Sequence, residues 1–130
     1  MKILGIGVDI IKNNRIKISL KNKKFINRIF TKNEIKQSSN LKNKINFFSK
    51  RFAAKESLVK ALGSGFRNNL NFKDIEIIND RFGKPNFVLN KKIKDLIYKK
   101  LKVKNYNLFL SISDESEYSI AFTIIQKQHD

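Results

Sequence analysis

The N-terminal segment constrains the fold most, because it combines a buried strand with two glycines and a charge. Residues 3–10 read ILGIGVDI, a short apolar run rich in β-branched residues, which predicts a buried β-strand. Gly5 and Gly7 alternate along it, which indicates close packing against another backbone more than a phosphate loop, since GIG lacks the third glycine and the following helix start. Asp9 stands near the end of the strand, where a carboxylate needs a cation, a cluster of donors or a metal.

A second segment, residues 51–65, supplies a candidate partner for this carboxylate. It reads RFAAKESLVKALGSG, which predicts a helix that ends in glycines. Glu56 and Lys60 are four residues apart and share a face, and Arg51 and Lys55 form a second such pair beside them. We therefore expect a polar edge on this helix. The alternative is a solvated amphipathic helix whose Glu–Lys pair contributes only ~0.3 kcal/mol.

Two carboxylates from separate elements suit a hard cation. Mg²⁺ takes one or two carboxylates from a protein, keeps several waters and binds phosphate oxygens with its remaining positions. Asp9 on the strand and Glu56 on the helix, beside a lysine-lined surface, could offer these ligands to a pyrophosphate. A magnesium site between the two elements is therefore one candidate, beside a cation or a cluster of donors that would satisfy Asp9 and a solvated Glu–Lys pair on the helix.

The remaining pattern predicts one α+β domain over residues 1–130, without a clear linker or an internal repeat. The elements expected after the first strand are two short helical pieces within 14–30, a short helix from Thr31 toward Gln37, the long helix that contains Glu56, strands at 74–79 and 86–89, a helix from Lys91 to about Leu101, and a terminal hairpin of 107–113 with 117–125. Thr31 and Glu34 form a capping-box signature, and Asn90 can cap the last helix.

Composition and charge limit the class of protein. The chain has 28 Lys and Arg against 11 Asp and Glu, a net charge of +17, which raises nucleic-acid binding as a candidate function. The lysines are scattered, however, and a nucleic-acid module leaves Asp9 unexplained, so we expect an acidic partner and no nucleic acid. The chain contains no cysteine, no apolar run near the ~20 residues of a membrane span and no signal-peptide pattern, so we expect a cytoplasmic protein that contacts no membrane.

Four sequence blocks span nearly the whole chain and carry a family resemblance. They are GIGVDI at 5–10 followed by Arg15 and Ile16, FFSKRFAAKESLVKALGSGF at 47–66, FGKP at 82–85, and LSIS at 110–113 followed by an acidic pair and EYSIAFTII. In content and order these blocks resemble the holo-acyl-carrier-protein synthases, which are small bacterial members of the phosphopantetheinyl transferases.

The resemblance implies a reaction and an assembly. It implies transfer of 4′-phosphopantetheine from coenzyme A to a serine of apo acyl carrier protein, with Mg²⁺ as cofactor and release of adenosine 3′,5′-bisphosphate, in fatty acid biosynthesis. It also implies a homotrimer with an active site at each subunit interface.

The resemblance further implies roles for individual residues. Asp9 and Glu56 would bind Mg²⁺, and Lys60 would contact the phosphates and help to manage the proton of the attacking serine. The nucleotide end of coenzyme A would be held by Arg51, Gly63, Ser64 and Gly65, and Pro85 would border its pocket. Arg15 would contact acidic residues of the carrier protein.

Asp114 departs from the family pattern, in which histidine commonly follows the SIS motif. An anion therefore stands at a position expected near coenzyme A. Three interpretations remain open: the side chain turns outward, it adds a ligand to the metal, or it weakens coenzyme A binding by repulsion. A non-catalytic relic that only binds the carrier protein would also explain the change.

Overall fold

The computed structural model describes residues 2–63, 65–66 and 70–128. Its elements in chain order are β1 (Lys2–Lys12), α1 (Asn13–Ser19), α2 (Lys23–Ile29), α3 (Lys32–Ser38), α4 (Lys44–Leu62), a 3₁₀ turn (Phe72–Asp74), β2 (Ile77–Asn79), β3 (Pro85–Phe87), α5 (Lys91–Leu101), β4 (Tyr106–Asp114) and β5 (Tyr118–Lys127). The predicted α+β class is confirmed. The strand expected at 74–79 is shorter, because the 3₁₀ turn includes residue 74 and pairing begins only at residue 77.

The strands form two antiparallel sheets. β1, β5 and β4 lie side by side in that order, and β2 pairs with β3 in a separate hairpin. In the three-stranded sheet Asp9 lies opposite Ala121, which lies opposite Ile112. These residues share one face of the sheet, because directly opposed residues of antiparallel strands point to the same side.

Gly5 and Gly7 allow β1 to touch α4 directly on this face. A Cβ atom built on Gly7 would lie 2.6 Å from the backbone nitrogen of Ala61 and still closer to the carbonyl oxygen of Ser57. A Cβ atom on Gly5 would overlap the carbonyl group of Ala61. The predicted close backbone packing is therefore confirmed. Asp9 follows Gly7 by two residues and so points to the same side, beside α4.

The other face of the three-stranded sheet is apolar and exposed. Its large exposed side chains are Ile3, Ile6, Val8, Ile10, Phe109, Ile120 and Phe122, which we call the open sheet face. The strand expected to be buried is thus buried on one side only. Contiguous apolar surfaces of this kind mark sites of interaction with another molecule.

Local signals fix the helix ends. The side chain of Asn43 caps the start of α4, and Gly63, with φ of 76°, ends it in the left-handed conformation that favours glycine. The capping box predicted for Thr31 and Glu34 is present at the start of α3, and Asn90 caps α5 as expected.

Candidate active site

Asp9, Glu56 and Lys60 meet where β1 packs against α4. The Nζ atom of Lys60 lies 3.1 Å from Oδ1 of Asp9 and donates to the carbonyl oxygen of Val8 at 3.1 Å. The Asp9 side chain is 14% exposed and the Lys60 side chain is 54% exposed, so the cluster opens to solvent at the lysine. The structure therefore brings together the strand carboxylate and the helix pair, as the sequence predicted.

Glu56 lies in a half-buried and anionic environment. Burial raises the pKa of its carboxyl most, repulsion from Asp9 raises it further, and Lys60 acts in the opposite direction. A cation between the two carboxylates would relieve the repulsion, so the donor chemistry fits Mg²⁺. Within the described ranges no group of three or more Asp, Glu, His or Cys residues could hold a metal, so Asp9 and Glu56 would leave the remaining positions to water and substrate.

The turn after α4 begins one helical turn beyond Lys60. Gly63 and Gly65 both have positive φ, and a Cβ atom on either would meet nothing within 4 Å. The N–H group of Gly63 donates to two carbonyl oxygens of the last helical turn, so this glycine ends the helix. Ser64 lies outside the described residues. The nucleotide contacts of these three residues stay predictions.

Lys55 lies in the core, not on a polar edge. Its side chain is fully buried, and Nζ donates to Oε1 of Glu34 at 2.6 Å and to the carbonyl oxygen of Ile29 at 2.7 Å. Burial lowers the pKa of the ammonium, and Glu34 opposes this effect. The prediction of an Arg51–Lys55 edge is wrong, because the carboxylate that draws Lys55 inward comes from another helix.

Arg51 is also buried, at 3% exposure. Its Nη2 atom donates long hydrogen bonds to the side-chain oxygens of Gln37 (3.5 Å) and Asn79 (3.4 Å), and the guanidinium stacks over the ring of Phe47. Burial lowers its pKa, and Glu34 partly offsets this. Its Nε atom has no hydrogen-bond partner among the described residues. A contact of Arg51 with a nucleotide stays a prediction.

A groove of about 510 Å³ lies beside Arg51, between α3, α4 and β2. Its lining residues are Gln37, Leu41, Lys42, Asn43, Asn46, Phe47, Lys50, Asn79 and Asp114, and we call it the α3–α4 groove. The two lysines exceed the single aspartate, so the groove suits an anionic ligand.

Asp114 lines this groove. Its Oδ2 atom accepts a hydrogen bond from Nδ2 of Asn46 at 2.8 Å, and its Oδ1 atom lies 3.9 Å from Nζ of Lys50. Asn46 precedes Glu56 by ten residues, which is about 15 Å along an α-helix. Asp114 is therefore not a ligand of a metal held by Asp9 and Glu56 of the same chain, and that interpretation is wrong within one chain.

Comparison with known proteins assigns the family. The model of the 4′-phosphopantetheinyl transferase superfamily matches residues 5–123. The chain belongs to this superfamily. A holo-[acyl-carrier-protein] synthase of Pelagibacter ubique is 58% identical over 128 residues, which cover 98% of this chain and 100% of that protein.

Solved structures of such synthases have the same fold. The synthase from Neisseria meningitidis is 34% identical, with a TM-score of 0.86 over 97% of this chain and 100% of that one. The synthase from Bacillus anthracis, in complex with CoA (3′,5′-ADP), is 36% identical, with a TM-score of 0.80 over 97% of this chain and 98% of that one. The predicted fold of the phosphopantetheinyl transferases is confirmed.

Two other predicted site residues of this phosphopantetheinyl transferase, Arg15 and Pro85, belong to elements other than β1 and α4. Arg15 is exposed on α1. Pro85 begins β3, half-buried, and lies opposite Asn79 in the hairpin. Their contacts with the carrier protein and with coenzyme A stay predictions.

Sequence reasoning missed the buried Glu34–Lys55 pair and most of the α3–α4 groove. The capping-box signature identified Glu34, but it gave no sign that the carboxylate also binds Lys55. The groove residues Gln37, Asn46 and Asn79 are polar residues of common type, with no spacing that singles them out.

Proposed function

We propose that this chain is a magnesium-dependent holo-acyl-carrier-protein synthase. It transfers 4′-phosphopantetheine from coenzyme A to a serine of apo acyl carrier protein and releases adenosine 3′,5′-bisphosphate. The observation that carries the proposal is the cluster of Asp9, Glu56 and Lys60 in a member of the phosphopantetheinyl transferase superfamily. The names of the relatives and the coenzyme A complex of one of them support the choice of substrates.

The residues of the chain would bind and orient the reactants. Asp9 and Glu56 would hold Mg²⁺, which neutralises charge on the pyrophosphate oxygens when bound. Lys60 is half-exposed beside Asp9, so its ammonium can contact the same oxygens. The serine oxygen forms a bond to the β-phosphorus while the bond from that phosphorus to the bridging oxygen breaks. The bridging oxygen leaves on adenosine 3′,5′-bisphosphate and the serine proton passes to water, while the Lys60 ammonium would stabilise the serine oxygen as its negative charge develops. No covalent enzyme intermediate is needed.

We infer from the family that the chain assembles into a homotrimer with an active site at each subunit interface, and the open sheet face supplies an apolar surface for association. Residues such as Ile6 and Ile10 are 57% and 60% exposed, and covering such side chains stabilises an assembly by roughly 25 cal/mol per Å² of apolar surface. An interface site would also bring the Asp9 cluster of one chain toward the α3–α4 groove of a neighbour. This would explain why Asp114 lies far from Glu56 within one chain.

Mass spectrometry of an apo acyl carrier protein tests the proposed function. After incubation with coenzyme A, Mg²⁺ and this protein, we expect the carrier to gain the mass of phosphopantetheine. A carrier with its acceptor serine changed to alanine is the control and should gain nothing. Carrier binding without a mass gain would instead support the non-catalytic relic, and tight binding to duplex DNA at physiological salt would support the nucleic-acid module.

The site of action is part of the same proposal. No helix of the described residues is both long enough and apolar enough to cross a membrane. We infer that the enzyme acts in the cytoplasm, in fatty acid biosynthesis, on the basis of the substrates proposed above.

Charge reversal at Arg15 tests the carrier-binding surface. Arg15→Glu should raise the KM for the carrier protein by about threefold to tenfold and reduce the salt dependence of the rate, because an exposed charge at an interface acts mainly on association. The KM for coenzyme A should stay nearly constant. Lys99→Glu on α5 makes the same change in net charge at another exposed position and is the control. An equal loss of coenzyme A binding in Arg15→Glu would contradict the assignment.

Asp114→His tests the departure from the family pattern. Asp114 lies in a groove with Lys50, so removing its charge should tighten coenzyme A binding by about twofold to fivefold, the range that corresponds to one exposed ion pair. Asp114→Asn is the matched control, since it removes the charge without adding an imidazole. Titration calorimetry would measure the affinity of each variant for coenzyme A and for Mg²⁺. Weaker Mg²⁺ binding in both variants would instead indicate that Asp114 of a neighbouring chain contributes a metal ligand.

A further inference from the structure

The buried ion pair between Glu34 and Lys55 has no place in the proposed chemistry. Both side chains have zero exposure, and their charged atoms lie 2.6 Å apart. Apolar residues of similar volume often replace such a pair without loss of stability, so a buried pair is weak evidence for a stabilising role. The other hydrogen bonds of Glu34 indicate a different role for the pair.

The carboxylate of Glu34 joins three parts of the chain. Its Oε1 atom accepts hydrogen bonds from Lys55 on α4 and from the backbone nitrogen of Thr31, while Oε2 accepts one from the backbone nitrogen of Ile77 at 3.1 Å. The hydroxyl of Thr31 in turn donates to Oε1 of Glu76 at 2.5 Å. Both bonds reach the start of β2, so one network attaches the β2–β3 hairpin to α3 and α4.

The hairpin needs such an attachment. β2 and β3 have three residues each, and an isolated two-stranded hairpin is at best marginally stable in water. The hairpin carries Asn79, which contacts Arg51 and lines the α3–α4 groove, and Pro85 lies directly opposite it. A shift of β2 would therefore change the shape of the groove without moving the Asp9 cluster.

We propose that Glu34 and Lys55 are positioning residues: they hold the β2–β3 hairpin against α4 and thereby shape the α3–α4 groove for the nucleotide end of coenzyme A. The identity of this ligand rests on the proposed function. The attachment of the hairpin rests on the hydrogen bonds alone.

A double variant separates positioning from stability. Glu34→Leu/Lys55→Met removes both charges of the pair together, so neither partner is left buried without the other and the protein should remain folded. The amide of Ile77 loses its acceptor, and its hydrogen exchange should accelerate by at least about tenfold. We expect the KM for coenzyme A and the Kd for adenosine 3′,5′-bisphosphate to rise by about tenfold, with kcat and the KM for the carrier changed by less than about threefold.

Ser57→Ala/Thr123→Val is the matched control. It removes another fully buried polar pair, whose hydroxyl oxygens lie 2.7 Å apart. This pair links α4 to β5 and not to the hairpin. Hydrogen exchange at residues 77–79 and the KM for coenzyme A should both stay near the parent values. A similar rise in KM in this control would show that any loss of core bonding has the same effect, and the proposal would fail.

A second variant tests the proposal if the double variant does not fold. Glu76→Ala removes the bond to Thr31 without placing an unpaired charge in the core, and it should produce smaller changes in the same direction. The proposal would be overturned if the variants fold and keep the parent's rates of amide hydrogen exchange in the hairpin and the parent's affinity for the nucleotide. If the parent protein transfers no phosphopantetheine, the proposed function fails, whereas the exchange rates still decide whether Glu34 and Lys55 hold the hairpin.

Discussion

Asp9→Ala and Glu56→Ala should each abolish phosphopantetheine transfer while the protein stays folded. Each change removes one of the two carboxylates that would hold Mg²⁺. Loss of metal-based charge stabilisation costs several kcal/mol in the transition state, which corresponds to about a thousandfold or more in rate. Transfer to the carrier protein would be followed by mass spectrometry, Mg²⁺ binding by calorimetry and folding by circular dichroism.

Asp95→Ala is the control for this pair of variants. Asp95 is an exposed carboxylate on α5 that pairs with Lys91, so its removal should leave the activity unchanged. Full activity in Asp9→Ala or Glu56→Ala would contradict the metal assignment. Unfolding of Asp9→Ala would instead indicate that its bond to Lys60 is structural.

The raised pKa of Glu56 gives this assignment a pH dependence. Mg²⁺ needs the ionised carboxylate, so its affinity should fall as the pH decreases through the raised pKa. Asp9→Asn removes the repulsion that contributes to the shift, so the pKa of Glu56 should decrease in that variant. The remaining weak metal binding should then persist to lower pH than in the parent, as calorimetry at several pH values would show.

Gly7→Ala should destabilise the protein severely. The new Cβ atom would overlap the carbonyl oxygen of Ser57, and both groups belong to packed backbones that cannot move aside as a side chain could. Inserting atoms into a packed core costs about 1–3 kcal/mol and more where the backbone must move, so we expect a loss at the upper end of this range. Thermal unfolding should show a midpoint lowered by roughly 10 °C or more.

Gly83→Ala is the matched control for Gly7→Ala. Gly83, unlike Gly7, has a left-handed backbone that favours glycine, with φ of 82°, but a Cβ atom there meets nothing within 4 Å. The control should lose only about 1–2 kcal/mol, from backbone strain alone. Equal stabilities of Gly7→Ala and the parent would show that β1 and α4 can separate without cost.

The parts of the fold that depend on local signals could be predicted from the sequence. The capping box at Thr31, the cap at Asn90 and the glycine end of α4 each involve residues within a few positions, and all are present. The approach of Asp9 to Glu56 could also be anticipated, because two glycines in an apolar strand require a close backbone neighbour.

The parts that depend on distant contacts could not be predicted in the same way. Lys55 and Arg51 have the spacing of an exposed helical pair, and their burial depends on partners such as the carboxylate of Glu34 and the amides of Gln37 and Asn79. These partners are remote in sequence. The position of Asp114 likewise depends on where β4 ends relative to α4, which no local pattern specifies.

The backbone contact between β1 and α4 has a consequence for how this chain can diverge. Gly5 and Gly7 meet the main-chain atoms of Ser57 and Ala61, so the separation of the two elements there does not depend on which side chains the rest of the core uses. Substitutions elsewhere in the core can then proceed without changing the spacing on which the site depends. Mutational tolerance should therefore be lowest at these two glycines, where even alanine does not fit, whereas Ile6 and Val8, which point away from α4, should accept other apolar side chains.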